Sequence, residues 1–281
     1  MNKFSLLTVI SIAAMLSGCV AQPKHARVDQ LDTQAKIDEM VRKAEAGDVE
    51  AQVQACSAST DGKLYKPADG GDGWCEKSAA HGSIHAMSEM SARYDIGYNR
   101  PVDYKKALYW LTRAGNAPVR KDELMDEVVA TQVYEKLAEV YEFGMMGAMP
   151  NQKTAAKWRL KAAKSFDPTS FVPLARMYES GTGVKQDYKQ AAVWYRNAGR
   201  IGYWDGAHGL ALLYVKGLGM PRDMVEAYYW ETLSFRLRGK DDALPADGIY
   251  IDLIASDVLT PDQLVDVEER VSNWKPDYSG F

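Results

Sequence analysis

The sequence is short of the residues that most enzymes use for chemistry. It has three cysteines and four histidines in 281 residues, and no GxSxG, HExxH or SxxK motif. Basic side chains do not exceed acidic ones: 34 Lys and Arg against 38 Asp and Glu give a formal charge of −4. That balance excludes the strongly basic face that nucleic-acid binding usually requires. Strand-like runs of Val, Ile and Thr are scarce beyond the first residues, whereas Ala, Tyr and Trp are plentiful. This pattern predicts an all-α protein.

The stretch Gly181-Thr182-Gly183 resembles a phosphate loop, but Val184-Lys185-Gln186-Asp187 follows it in place of a Lys-Ser/Thr pair. The preceding residues, FVPLARMYES, have helical rather than strand character. His81 and His85 are four apart, a metal-compatible spacing on one helix, yet Gly82 between them marks a junction of two helices. They are expected as separate turn residues. His25 lies near the N-terminus, and His208 stands alone among apolar residues. No catalytic residue, metal ligand or cofactor is nominated.

The N-terminus has its own logic. Lys3 precedes the apolar run FSLLTVISIAAML (4–16), too short to span a bilayer comfortably, and the run ends in Leu16-Ser17-Gly18-Cys19. Small residues before a cysteine resemble the lipobox of bacterial lipoproteins. The resemblance implies removal of residues 1–18 and lipidation of Cys19, and Val20 favours the outer membrane with the domain facing the periplasm. Residues 19–32 then form a lipidated tether, its polar, aperiodic stretch reaching about 20 Å on average. In an oxidising compartment the remaining pair, Cys56 and Cys75, reads as a disulfide; the alternative is two separate buried thiols.

Tryptophan sets a ruler. Trp74 and Trp110 are 36 residues apart, as are Trp158, Trp194 and Trp230, and Trp110 to Trp158 is one period plus 12. Ala107, Ala155, Ala191 and Ala227 keep the same spacing, as do Asp103, Asn151, Asp187 and Asp223. Tyr94, Tyr141, Tyr178 and Tyr214 are each followed three residues later by Gly97, Gly144, Gly181 and Gly217. A fixed period of this size is the signature of a solenoid. Each unit reads as a first helix ending in a glycine cap, a short loop, and a second helix begun by an Asp or Asn cap. Gly181 and Gly183 thus belong to a repeat turn. The stretch 116–129 breaks the period and is expected to lengthen a helix or to form a protruding loop. Thr260-Pro261-Asp262-Gln263 forms a capping box ahead of a helix whose apolar face is Leu264, Val267, Val271 and Trp274. That helix would cover the last apolar surface of the array.

The pattern resembles the Sel-like repeat family, a branch of the tetratricopeptide-like helical repeats. LARMYESGTGVKQDYKQAAVWYRNAGRIG (174–202) carries the resemblance most fully, with LALLYVKGLGMPRDMVEAYYW (210–230) next. The unit at 97–103 lacks the second loop glycine, and unit one (47–82) has Ser59 where tyrosine is expected. The resemblance implies an α-solenoid of about five helix-turn-helix repeats over 33–238, closed by a helical cap at 239–281. Cys56 and Cys75 should then lie where the two helices of unit one face each other. Cysteine-rich relatives, some of which bind β-lactams, carry a disulfide in nearly every repeat; here there is one pair in a different register, and that activity is not carried over.

The resemblance also implies function: a lipid-anchored scaffold holding an envelope protein, of a secretion, exopolysaccharide-export or envelope-assembly machine, on its concave first-helix surface. Side chains there that are neither core nor cap are Glu89, Arg93, Lys136, Arg176 and His208. Two other readings are an enzyme or glycan binder acting on peptidoglycan or a β-lactam, and a surface-displayed binder of host proteins.

Overall fold

The computed structural model describes residues 34–61, 71–98, 100–119, 124–239 and 258–279, and within these the regular backbone is helical throughout. Cys19, the tether and His25 lie outside the described residues, as do 62–70, 120–123 and 240–257. The chain divides into two units, Met1–Val133 and Tyr134–Phe281.

The first unit holds α1 (Gln34–Glu45), α2 (Val49–Asp61), α3 (Asp72–Ala80), α4 (Ile84–Ile96) and α5 (Tyr104–Asn116). Helix α6 (Leu124–Phe143) contains the division between the units. The second unit continues with α7 (Gln152–Lys164), a 3-10 turn at Pro168–Ser170, α8 (Phe171–Ser180), α9 (Tyr188–Arg200), α10 (Trp204–Lys216), α11 (Met224–Arg238) and α12 (Pro261–Asn273). The even-numbered helices α2 to α10 are the first helices of the repeats, and the odd-numbered α3 to α11 the second. Helix α1 is an addition to the expected repeats. Its Ile37, Met40 and Ala44 bury against Ala51 and Ala55 of α2, the spacing of a single helical face.

Local chemistry explains the hairpins. Gly97, Gly181 and Gly217 end their helices in the left-handed conformation, at φ of 73°, 77° and 65°, where a β-carbon is disfavoured. Asp103, Asn151, Asp187 and Asp223 then accept amide N–H bonds from the first turns of α5, α7, α9 and α11. Such a cap contributes about 1 kcal/mol. The loop at 144–151 carries one residue more than its counterparts, and Met146 and Gly147 absorb it with φ of 51° and 69°.

The second loop glycine serves close packing. A β-carbon on Gly183 would lie 2.1 Å from the Gln152 carbonyl oxygen, and one on Gly219 2.5 Å from the Tyr188 carbonyl carbon. Each loop therefore rests on the first turn of the preceding repeat's second helix, and the space a phosphate would need is filled by backbone.

In the first unit Cys56 of α2 and Cys75 of α3 form a disulfide, both side chains fully buried. In the second, Phe171, Leu174, Leu210, Leu213 and Leu233 make one core with Val267 and Val271 of α12. Each such side chain contributes roughly 1.5–3 kcal/mol by leaving water. The capping box at Thr260 and Gln263 is formed, and α12 packs on α11. The ruler tryptophans divide: Trp158 and Trp230 are buried, whereas Trp74, Trp110 and Trp194 are half-buried at helix grooves. Part of the inserted stretch lengthens a helix, since α6 has 20 residues where α4 has 13.

Candidate protein-docking surface

The periodic tyrosine numbers each first helix. In the first unit, Ser57 stands two residues before the tyrosine position, and His85 nine before Tyr94. Their side chains hydrogen-bond at 2.7 Å between α2 and α4. In the second unit, Arg176 stands two before Tyr178 and Asp205 nine before Tyr214. They form an ion pair at 3.8 Å between α8 and α10. Residues seven apart share a helical face, so these two positions define a lane along each first helix. The pairing occurs twice, once in each unit, at identical register.

The candidates from sequence take different places around this lane. Arg176 is 65% exposed and sits on it. Glu89 of α4 and Lys136 of α6 are half-buried on their helices. His208 points away, toward its own hairpin partner: its Nδ1 lies 2.8 Å from Glu231 on α11, and Glu231 is buried. Paired in this way and 13% exposed, His208 is held within its hairpin and not presented on the lane.

Arg93 does not belong to a surface. It is 1% exposed, donates to an Asp72 carboxylate oxygen at 2.9 Å, and donates to the Cys56 carbonyl at 3.1 Å. Arg100 also pairs with Asp72. The register equivalents of Arg93 in later repeats are Val140, Met177 and Leu213, all buried. The arginine thus occupies a core position and ties α4 to both helices of the disulfide-bonded hairpin. A buried charge of this kind persists only when paired and hydrogen-bonded.

Residues missed by sequence reading lie on the lane of the second unit or beside it. The hydroxyl of Thr169, nine before Tyr178, lies 2.7 Å from Glu135 of α6 and 2.6 Å from Asp167, sharing its single proton between the two carboxyl groups. Burial, with Asp167 and Glu139 nearby, holds the Glu135 carboxyl above the ordinary carboxylate range despite the Thr169 bond. Burial and the charges of Asp167 and Asp205 push the Tyr203 hydroxyl up to about 12. Tyr195 of α9 donates to Glu179 at 2.7 Å, and burial with that bond raises its pKa strongly. Counting back two and nine residues from each tyrosine would have found Ser57, His85, Thr169 and Asp205.

Among the described residues, no cluster of three or more His, Cys, Asp or Glu is arranged to hold a metal. His81 ends α3 and hydrogen-bonds the Lys77 carbonyl, while His85 belongs to α4, so the two histidines are on separate helices. No helix in the described residues is long and apolar enough to cross a membrane.

A repeating pair of antiparallel helices, glycine-capped and then Asp- or Asn-capped, with a solvent-facing lane on the first helices, defines an α-solenoid of helical repeats. The family model of the Sel1 repeat matches residues 84–118, 133–165, 174–203 and 204–230, so the chain carries four Sel1 repeats. Sel1 repeats mediate protein–protein interaction and are typically non-catalytic.

The crystal structure of a Sel1 repeat protein from Oxalobacter formigenes is similar, with a TM-score of 0.58 and 21% identity over 76% of this chain and 83% of that one. The protective antigen c5321 of uropathogenic Escherichia coli, described as an SLR fold, is 21% identical over 84% of this chain and 64% of that one, with a TM-score of 0.31. A Sel1 repeat protein from Klebsiella pneumoniae is 19% identical over 71% of this chain and 91% of its own, with a TM-score of 0.34. A search of curated proteins found no match. The hairpin α2–α3 lies outside the four matched segments, as Ser59 in place of the tyrosine implies.

Proposed function

We propose that this chain is a lipid-anchored scaffold of the bacterial cell envelope, attached to the outer membrane through Cys19 and facing the periplasm. It holds one envelope protein on the first-helix lane. The observation that carries the reading is the lane itself: Arg176, exposed, and Asp205, half-buried, stand on adjacent first helices and are linked across 3.8 Å. A long ion pair with one exposed member contributes little to folding, at most about 1 kcal/mol, so both groups can be redirected to a partner at small cost. The lipobox residues Leu16-Ser17-Gly18-Cys19 support the anchor, and the disulfide suits an oxidising compartment.

The test is in-cell crosslinking of the tagged full chain followed by mass spectrometry, with Cys19→Ser as the mislocalised control. One or two envelope proteins recovered in near-stoichiometric amounts and lost in the control support the scaffold. Recovery without any enriched protein rejects it.

A further inference from the structure

Within the first unit, successive helices run antiparallel, so α1, α3 and α5 begin at the edge where α2 and α4 end. The Arg93–Asp72 bond at 2.9 Å shows this directly, joining the last turns of α4 to the first residue of α3. The residues before Gln34 therefore enter the fold at that edge. The same edge carries apolar side chains that the fold leaves in water: Ile96 is 70% exposed, and Val102 and Tyr104 are exposed beside it. Ile96 and Val102 flank one glycine, since a β-carbon on Gly97 would lie 3.0 Å from Val102 Cγ2.

Two cations complete the patch. Lys105 and Lys106 are exposed in the first turn of α5, which contains no acidic residue. A helix N-terminus carries partial positive charge and disfavours lysine there, so helix stability does not account for the pair. Lys106 reaches the Asp103 carboxylate only at 3.8 Å and lies 5.1 Å from the Tyr94 ring centroid. Asp103 itself is occupied in capping α5, and Asp95 is half-buried. In the second unit, the register equivalents of Ile96 and Lys105 are Phe143, 67% exposed, and Lys153, also exposed.

We infer that this edge of the first unit, Ile96, Val102, Tyr104, Lys105 and Lys106, rests on the surface of an anionic lipid bilayer. The inference builds on the proposed anchoring at Cys19. Aliphatic and aromatic groups that enter the headgroup region, flanked by lysines that meet lipid phosphates, are the chemistry of an interfacial contact. Only residues 20–33 separate Cys19 from Gln34, which bounds the distance from the anchor to this edge at about 50 Å even at full extension. One anchor plus a second, surface contact would fix the orientation of the first unit on the bilayer, which the lipid alone leaves free.

The test uses the full lipidated chain in vesicles containing anionic phospholipid and a lipid-borne fluorescence quencher. An environment-sensitive dye is attached at Ile96→Cys or, as the opposite-edge control, at His81→Cys. Lipid on Cys19 is verified by mass spectrometry. The expected result is at least twofold stronger quenching at position 96 than at 81, reduced by Lys105→Glu with Lys106→Glu. Each lysine removed should weaken the contact about fivefold. Equal quenching at the two positions on lipidated protein overturns the inference, as does protection of position 96 by a crosslinked protein. If mass spectrometry finds no lipid, the anchoring reading fails separately. The same dyes are then read on the unlipidated chain with anionic vesicles, where a blue shift at 96 alone upholds the contact and no shift at 96 overturns it.

Discussion

The amide of Asp187 donates to the carbonyl of Tyr178 at 2.9 Å, across the loop that joins α8 to α9. Asp103 and Tyr94, Asn151 and Tyr141, and Asp223 and Tyr214 repeat the bond at 2.9, 2.6 and 3.3 Å. The two periodic positions that rule the sequence are thus the two ends of one hydrogen bond. It closes each hairpin, and it explains why the spacing from tyrosine to cap hardly varies while the loop residues do.

Substitutions in two of these repeat loops should separate close packing from backbone conformation. Gly183→Ala forces a β-carbon onto the Gln152 carbonyl at a left-handed φ of 74°. Gly147→Ala adds one at φ 69° with nothing within 4 Å. The second should cost about 1–2 kcal/mol for conformation alone. The first should cost clearly more, because backbone cannot swing aside. Urea titrations of the two variants measure the difference, and equal midpoints would refute the packing role of Gly183.

Arg93 offers a test of buried charge. Arg93→Ala removes one partner of the Cys56 carbonyl and one of Asp72, at an expected cost of about 3–5 kcal/mol. Arg93→Met restores the apolar type found at Val140, Met177 and Leu213, fills most of the volume, and leaves Arg100 on Asp72. It should retain substantially more stability than the alanine variant. Chemical denaturation of both proteins decides.

These comparisons show what was legible in advance. Caps, loop glycines and hairpin order follow from local backbone chemistry, so periodic Gly97, Gly181, Asp187 and their kin gave them away. The charge of Arg93 suggests a surface position, although its register among Val140, Met177 and Leu213 points inward. Asp205 and Thr169 escaped notice because a lane depends on which face the next first helix leaves open, a long-range fact. Helix α1 was overlooked despite Ile37, Met40 and Ala44 at helical spacing, since it precedes the first recognisable repeat.

The disulfide closes a sequence separation of 19 residues. Its removal by Cys56→Ala with Cys75→Ala should cost about 3 kcal/mol, chiefly by freeing the unfolded chain. The thermal transition of the double variant should fall, and reducing agent should reproduce the shift in the parent once the buried bond is reached.

Two ionisations mark opposite ends of the pH scale. Asp277 is held down to about 2, first by the Ser279 hydroxyl, then by Arg200 at 2.5 Å and the Ser279 amide. A depressed carboxylate contributes stability above its unfolded value near 3.9 and loses it as pH falls toward 2. The 277–279 segment should therefore release from Arg200 in that window, and Asp277→Asn should release it at neutral pH, as read by amide exchange of Ser279. Tyr203 behaves conversely. Its hydroxyl, raised to about 12, contributes stability that is intact below pH 10 and lost as pH rises from 10 to 12. Ultraviolet titration should show one tyrosine in this range missing from Tyr203→Phe.

The most direct test of the central claim places a photo-crosslinker at Arg176, on the first-helix lane, or at Val193, exposed on the second helix of the same hairpin. Both proteins are irradiated in cells and probed for covalent adducts. The account predicts a discrete protein adduct from position 176, absent from 193 and lost in the Cys19→Ser background. An adduct from 193 alone, or none from 176 while the protein is folded and anchored, would contradict it.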